Sequence, residues 1–145
     1  DLEVEEELII ENRLYLMGTD ENFKQKKPLI FREQGSATRQ EMEHYFQEKK
    51  ANRKKLELTS NEAVKQAVIA GLGHSILPLI GTRNQLMEGS LQIIHKKGLP
   101  LKTDWRLIWL KNKKMSPVAK AFIDFIRSHK NEILEKHFKW YLEFE

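Results

Sequence analysis

The sequence predicts an α/β fold, and three observations carry that reading. Short apolar segments recur along the chain, among them PLIF at 28–31, SILPLI at 75–80 and WRLIWL at 105–110. Between them lie stretches with apolar residues at helical spacing, such as Met42, Tyr45 and Phe46. Serines suited to capping helices stand where one kind of segment gives way to the other, at Ser36, Ser60 and Ser116.

Taken in order, Leu2 to Ile10 alternates at its start and reads as a half-buried strand, and Arg13 to Met17 as a second short one. Gly18 to Lys27 is a polar loop. Pro28 opens a buried strand that ends at Arg32. Gly35-Ser36-Ala37-Thr38 leads into an amphipathic helix from Thr38 to Lys50. Leu56 and Leu58 alternate in a short strand. Thr59-Ser60-Asn61-Glu62 caps a helix whose inner face holds Val64, Ala67 and Val68, and Gly71 ends it. His74 to Leu77 is a strand stopped by Pro78. Thr82 to Met87 is a short helix closed by Gly89, and Leu91 to Ile94 a strand. After a turn at Gly98-Leu99-Pro100, Trp105 to Leu110 has apolar side chains on both faces, the pattern of a covered central strand. Ser116-Pro117 then starts a helix with an apolar stripe at Val118, Phe122, Phe125 and Ile126, running to about Leu142.

Of the 145 residues, 40% are hydrophobic and 32% charged, a globular composition. No apolar run approaches the roughly 18 to 20 residues that span a bilayer, and no basic segment followed by an apolar stretch opens the chain. Cysteine is absent, which excludes disulfides, thiolate catalysis and Cys-ligated zinc. The net charge of +4 is unevenly spread. Residues 1–11 hold six acids and no base, whereas KKANRKK at 49–55 holds five bases and no acid. A basic run can hold phosphates of nucleic acid or metabolites, or simply be solvated; this one has no interleaved aromatics for base stacking.

No GxGxxG, GxxxxGK[ST], GxSxG or HExxH motif occurs, and the five histidines are too widely spaced for a metal site. No catalytic residue, metal or cofactor is expected. Two junctions remain. At the junction Glu33-Gln34-Gly35-Ser36-Ala37-Thr38-Arg39 a glycine turns the chain into a helix N-terminus, whose N–H groups, with the hydroxyls of Ser36 and Thr38, favour an anion. Thr59-Ser60-Asn61 repeats that arrangement. Each reads equally as a plain helix cap. Trp105, Trp109 and Trp140 read as core or interface anchors.

PLIFREQGSATR at 28–39, LTSNEAVKQAVIAGLGHSILP at 58–78, and the sequence Gly98-Leu99-Pro100, Trp105, Ser116-Pro117 and Phe122-x-x-Phe125 occur in the order and spacing of one family. They resemble the effector-binding domain of LysR-type transcriptional regulators, most closely the branch of the carbon-fixation regulator CbbR and sulfur-assimilation regulators such as CysL. The resemblance implies two α/β lobes like those of type 2 periplasmic binding proteins. One is a complete regulatory lobe II at 18–92; the other is partial, with the crossing strands and the C-terminal part of lobe I at 1–17 and 93–145. It implies a small, anionic metabolite bound between lobes by Gly35, Ser36, Ala37, Thr38, Thr59, Ser60, Asn61 and His74. It also implies a cytoplasmic homodimer or homotetramer that is not an enzyme and meets DNA only through an N-terminal helix-turn-helix outside this chain. His74 stands where the family usually has an aliphatic residue, at the start of a strand near the cleft; it either alters ligand choice or packs with its N–H satisfied. Ala37 stands where peroxide-sensing members carry a reactive cysteine, so that mechanism is excluded. The segment 134–145 extends past the family's usual end. The runner-up is a periplasmic-type solute-binding protein or a related two-lobe enzyme, and a third reading is a basic nucleic-acid module. With the first lobe partial, Trp105, Leu107 and Trp109 are expected to leave apolar surface and to favour self-association.

Overall fold

The computed structural model describes residues 3–20, 23, 26–49 and 52–144. The expected strand start at Leu2, parts of the 18–27 loop, and residues 50 and 51 of the basic run lie outside them. Strands and helices alternate along the chain in an α/β arrangement. The chain forms two compact units, residues 12–103 and residues 1–11 with 104–145.

One long strand, β1 (Val4–Gly18), replaces the two expected at the start of the chain. Glu11-Asn12 contains no glycine or proline to break the ladder. Asn12 is buried there, its amide donating to Thr103 Oγ1 at 3.3 Å. Within unit 12–103 the chain continues through β2 (Leu29–Arg32), α1 (Ala37–Glu48), β3 (Lys55–Leu58), α2 (Asn61–Ile69), β4 (Ser75–Pro78), α3 (Arg83–Glu88) and β5 (Gln92–Ile93). β1 pairs antiparallel with β4, Leu14 opposite Pro78 through Met17 opposite Ser75, and with β5 at Met17 and Gly18. β2 and β3 are parallel, with Leu29 beside Lys55 and Arg32 beside Leu58. Two backbone hydrogen bonds join β2 to the entry of β4, Ile30 N to His74 O and His74 N to Pro28 O, both 2.9 Å, and Ser75 Oγ donates to Ile30 O at 2.6 Å.

The core lies where α1 covers these strands. Met42, Tyr45 and Phe46, one helical stripe, bury against Leu14, Leu16, Leu29, Phe31, Ile76 and Ile94. Val64, Ala67 and Val68 form the buried stripe of α2. These are the residues whose spacing predicted the helices.

The other unit holds the start of β1, the end of β6 (Leu101–Leu110), α4 (Pro117–Phe138) and a 3₁₀ segment at Lys139–Phe144. Its acids answer its bases. Arg106 pairs with Glu6 at 2.8 Å and Asp104 at 2.7 Å, and Trp109 Nε1 donates to Glu5 at 3.0 Å. Glu7 accepts from Lys130 at 2.7 Å and Arg127 at 3.3 Å, contacts that hold its carboxyl below the usual range. The acidic start of the sequence is thus drawn to the basic end.

WRLIWL is not a covered central strand. β6 ladders with β1, and Trp105 is 45% and Ile108 62% exposed. The apolar surface expected on this strand is present, but Ile108 and Leu110 contribute more of it than Leu107 and Trp109, which are half-buried. The expected stripe of α4 also faces outward: Val118, Phe122 and Phe125 are exposed, and Ile123 is the buried position. α4 stops at Phe138 rather than near Leu142. There the aromatics turn on one another, Trp140 edge-on to Tyr141 at 4.6 Å, while Trp140 Nε1 donates to His137 O at 2.9 Å. No described helix is long and apolar enough to cross a membrane.

Candidate functional site

Ligands of α/β sheets gather outside the carboxyl ends of the strands. β2 and β3 end side by side, Arg32 beside Leu58, so the loops that follow them leave the sheet at one edge. After β2, Gly35 takes φ +90°, a left-handed conformation that other residues adopt at a cost, and the chain turns into α1. Ser36 caps that helix, its Oγ accepting from Arg39 N at 3.5 Å. After β3, Ser60 caps α2, its Oγ accepting from Ala63 N at 3.0 Å.

Arg32 ties the two loops together. Its Nη1 donates to Asn61 Oδ1 at 2.6 Å, while Nε and Nη2 clasp both oxygens of Glu33 at 2.7 and 2.8 Å. That clasp holds the Glu33 carboxyl down at about 2. Arg39, buried on the first turn of α1, donates to Arg32 O at 2.8 Å and pairs with Glu57 at 2.5 Å and Glu43 at 3.0 Å. Gly35, Ser36, Ala37 and Thr38 therefore share an edge with Thr59, Ser60 and Asn61. Ala37 and Thr59 are exposed there, and Thr38 is half-buried.

Arg32 and Glu57 are members of this edge that the sequence did not single out, while Glu33 and Arg39 bound the first junction without an assigned role. The i,i+4 spacing of Arg39 and Glu43 was a visible signal for one contact. The reach of Arg32 to Asn61, 29 residues on, had none.

His74 does not join this edge. It sits beside Leu29, at the opposite end of β2 from Arg32, about 10 Å away along the strand at roughly 3.3 Å per residue. It is 2% exposed, its ring lies edge-on to Phe23 at 5.1 Å, and its Nδ1 meets no hydrogen-bond partner. Burial pushes the imidazole below its usual value; Arg53 and Lys27 push the same way and Asp20 opposes them. A proton held more weakly in the folded chain than in the unfolded one makes acid destabilising. Stability is full above the unfolded value of about 6.5 and falls as the pH drops through it towards the lower folded value. Urea unfolding between about pH 7.5 and about pH 5.5 should show a slope of at most about 1.4 kcal/mol per pH unit, one proton's worth. His74→Leu should flatten it; an unchanged slope in that variant would assign the acid sensitivity elsewhere. The lowered carboxylates of Glu7, Glu33 and Glu62 add their own losses only below their ordinary value of 4.5, outside this window.

Residues 21–131 match the LysR substrate binding domain. The chain belongs to that family. Among relatives, the domain is 41% identical over 104 residues to the HTH-type transcriptional activator CmpR of Synechocystis sp. strain PCC 6803, covering 71% of this chain and 34% of that protein. It is 38% identical over 104 residues to a RuBisCO operon transcriptional regulator of Allochromatium vinosum, again covering 71% and 34%. The chain thus spans about a third of the length of these relatives. Among solved structures, the Synechocystis PCC6803 CcmR regulatory domain in complex with 2-PG matches at a TM-score of 0.78 and 25% identity, over 90% of this chain and 68% of that one. The regulatory domain of HypT from Salmonella typhimurium shares the fold at a TM-score of 0.79 and 19% identity, over 89% and 66%.

Proposed function

We propose that this domain is the effector-sensing and oligomerising part of a LysR-type transcription regulator, and that its effector is a small anionic metabolite. The observation that carries the ligand class is the meeting of two helix N-termini, at Ser36 and Ser60, over adjacent strand ends joined by Arg32 and Asn61. Unpaired N–H groups at the first turn of each helix, with the Thr38 hydroxyl beside them, suit an oxyanion. CcmR was solved with 2-PG, a small anion, which supports the same class here. Gly35 to Thr38 and Thr59 to Asn61 form the contact edge, and His74 acts only through the packing beneath it.

In this reading residues 18–92 are the complete lobe II, and residues 1–17 and 93–145 are the crossing strands and the end of lobe I. The effector biases the regulator by binding one arrangement of its lobes more tightly than another, and that bias reaches the DNA-binding parts of a cytoplasmic homodimer or homotetramer. DNA is met through a helix-turn-helix that precedes this domain, and no catalysis is involved. The relatives are transcription regulators, in keeping with this reading.

Thermal melting of the chain with 2-PG, inorganic phosphate and neutral diols tests it. Stabilisation by 2-PG is expected. Thr38→Val should keep the fold and weaken that binding by roughly 1 to 3 kcal/mol, the cost of leaving a charged acceptor without its donor. Stabilisation by the neutral compounds alone would overturn the proposal.

A further inference from the structure

A cavity of about 390 Å³ lies at the far end of α1 from Ser36. The helix has 12 residues, so about 18 Å of helix axis separates the two places. The volume is within the range of small-molecule sites. Its walls are of two kinds. Leu16, Phe23, Tyr45 and Phe46 supply an apolar, largely aromatic surface, while Lys49, Arg53, Lys96 and Lys97 supply positive charge. No carboxylate is among the described lining residues.

The aromatic wall is fixed in place. Phe23 stacks near Phe46, 6.2 Å between centroids, and meets the buried His74 edge-on. Tyr45 donates its hydroxyl to Lys97 O at 3.2 Å. The Arg53 guanidinium lies 3.7 Å from the Phe23 ring centre and donates to Phe23 O at 2.5 Å and Lys27 O at 3.4 Å. Arg53 therefore serves the wall itself.

The lysines do not. Lys96 Nζ stands 5.3 Å from the Phe23 ring centre and Lys49 Nζ 5.8 Å from that of Tyr45, and neither pairs with an acid among the described residues. Elsewhere the chain answers clustered charge with its opposite, as at Arg32–Glu33, Arg39–Glu43 and Arg106–Glu6. Here Lys49 from the end of α1 and Lys96 from the segment after β5 converge, and no ion pair joins either to an acid among the described residues.

We infer that this cavity is a second ligand site, for a small organic anion with a flat aromatic body: the ring packs on Tyr45 and Phe46, and the anionic group meets Lys49, Lys96 and Lys97. Cation and ring face suit such a molecule jointly, since neither an inorganic ion nor a neutral ring uses both walls. The site does not depend on the helix caps and serves a different part of the domain.

Phenyl phosphate is a probe with both features. Titrated into the ¹⁵N-labelled 145-residue chain, it should give saturable amide shifts at Phe23, Tyr45, Phe46 and Lys96. Phosphate alone and phenol alone should each bind about tenfold more weakly or worse. The double reversal Lys49→Glu/Lys96→Glu should lose about tenfold or more with the melting temperature kept, and Lys49→Gln/Lys96→Gln should lose less. Thr38→Val should leave this binding unchanged, which separates it from the effector edge. Shifts confined to Ser36–Thr38 and Ser60–Asn61, no saturation up to about 10 mM, or indifference to both double variants would overturn the proposal.

Discussion

Gly73→Ala should cost this domain at least about 3 kcal/mol of folding stability, more than typical overpacking. A Cβ at Gly73 would lie 2.4 Å from Pro28 O and 3.0 Å from Ile30 Cγ1. The carbonyl cannot step aside cheaply. It accepts from His74 N at 2.9 Å, one of the backbone hydrogen bonds that join β2 to the entry of β4. Moving it opens that seam and shifts Ile30, which has no exposed surface. Gly35→Ala is the natural comparison. Its Cβ would meet nothing, so the cost is only the left-handed backbone, about 1 to 2 kcal/mol. Urea midpoints of the two variants decide between steric and conformational causes. A Gly73→Ala domain no less stable than Gly35→Ala would show that the β2–β4 seam yields.

That seam also marks what the sequence could and could not reveal. α1, α2 and α4 were legible because their signals are local: a serine cap, then an apolar stripe at three- and four-residue spacing. α2 and α4 start just after their serine caps, at Asn61 and Pro117, and α1 starts at Ala37, one residue before the expected Thr38. The division of β1 into two strands failed because alternation lapses at Leu8-Ile9-Ile10, although the ladder does not. WRLIWL misled for a different reason. Apolar residues on both faces describe what a strand can pack against, and the described residues give β6 only β1 as a ladder partner.

The candidate edge was half legible. Two strand-to-helix junctions could be read singly, and only the parallel register of Arg32 with Leu58 brings them together. Where His74 stands relative to these junctions was not legible, because a residue's distance from a strand's carboxyl end depends on which neighbours it pairs with. His74 pairs with Leu29, at the amino end of β2. The cavity beyond α1 draws on Leu16, Phe23, Tyr45 and Lys96, residues 80 positions apart at the extremes, and no linear pattern links them.

Phe31→Ala should be the most damaging single truncation, at about 3 to 5 kcal/mol. The ring is 1% exposed, in the cluster with Leu14, Leu29, Met42, Tyr45 and Ile76. Its removal leaves a cavity at the point where α1 meets β2, and rigid strands on one side limit collapse. The ring has a second role. The Arg39 guanidinium lies 5.7 Å and Lys55 Nζ 5.1 Å from its centre, so it is also the apolar rest for the arginine that ties α1 to Arg32 O and Glu57. Loss of the ring should therefore loosen the first turn of α1 as well as the core. Amide exchange at Thr38, Arg39 and Gln40 should quicken more than exchange in α2. Phe31→Leu, which fills most of the space but offers no ring face, separates the two contributions. It should recover most of the stability and little of the protection at α1. If Phe31→Ala loses under about 1 kcal/mol, or if exchange rises equally in both helices, the ring is not what couples this core to the effector edge.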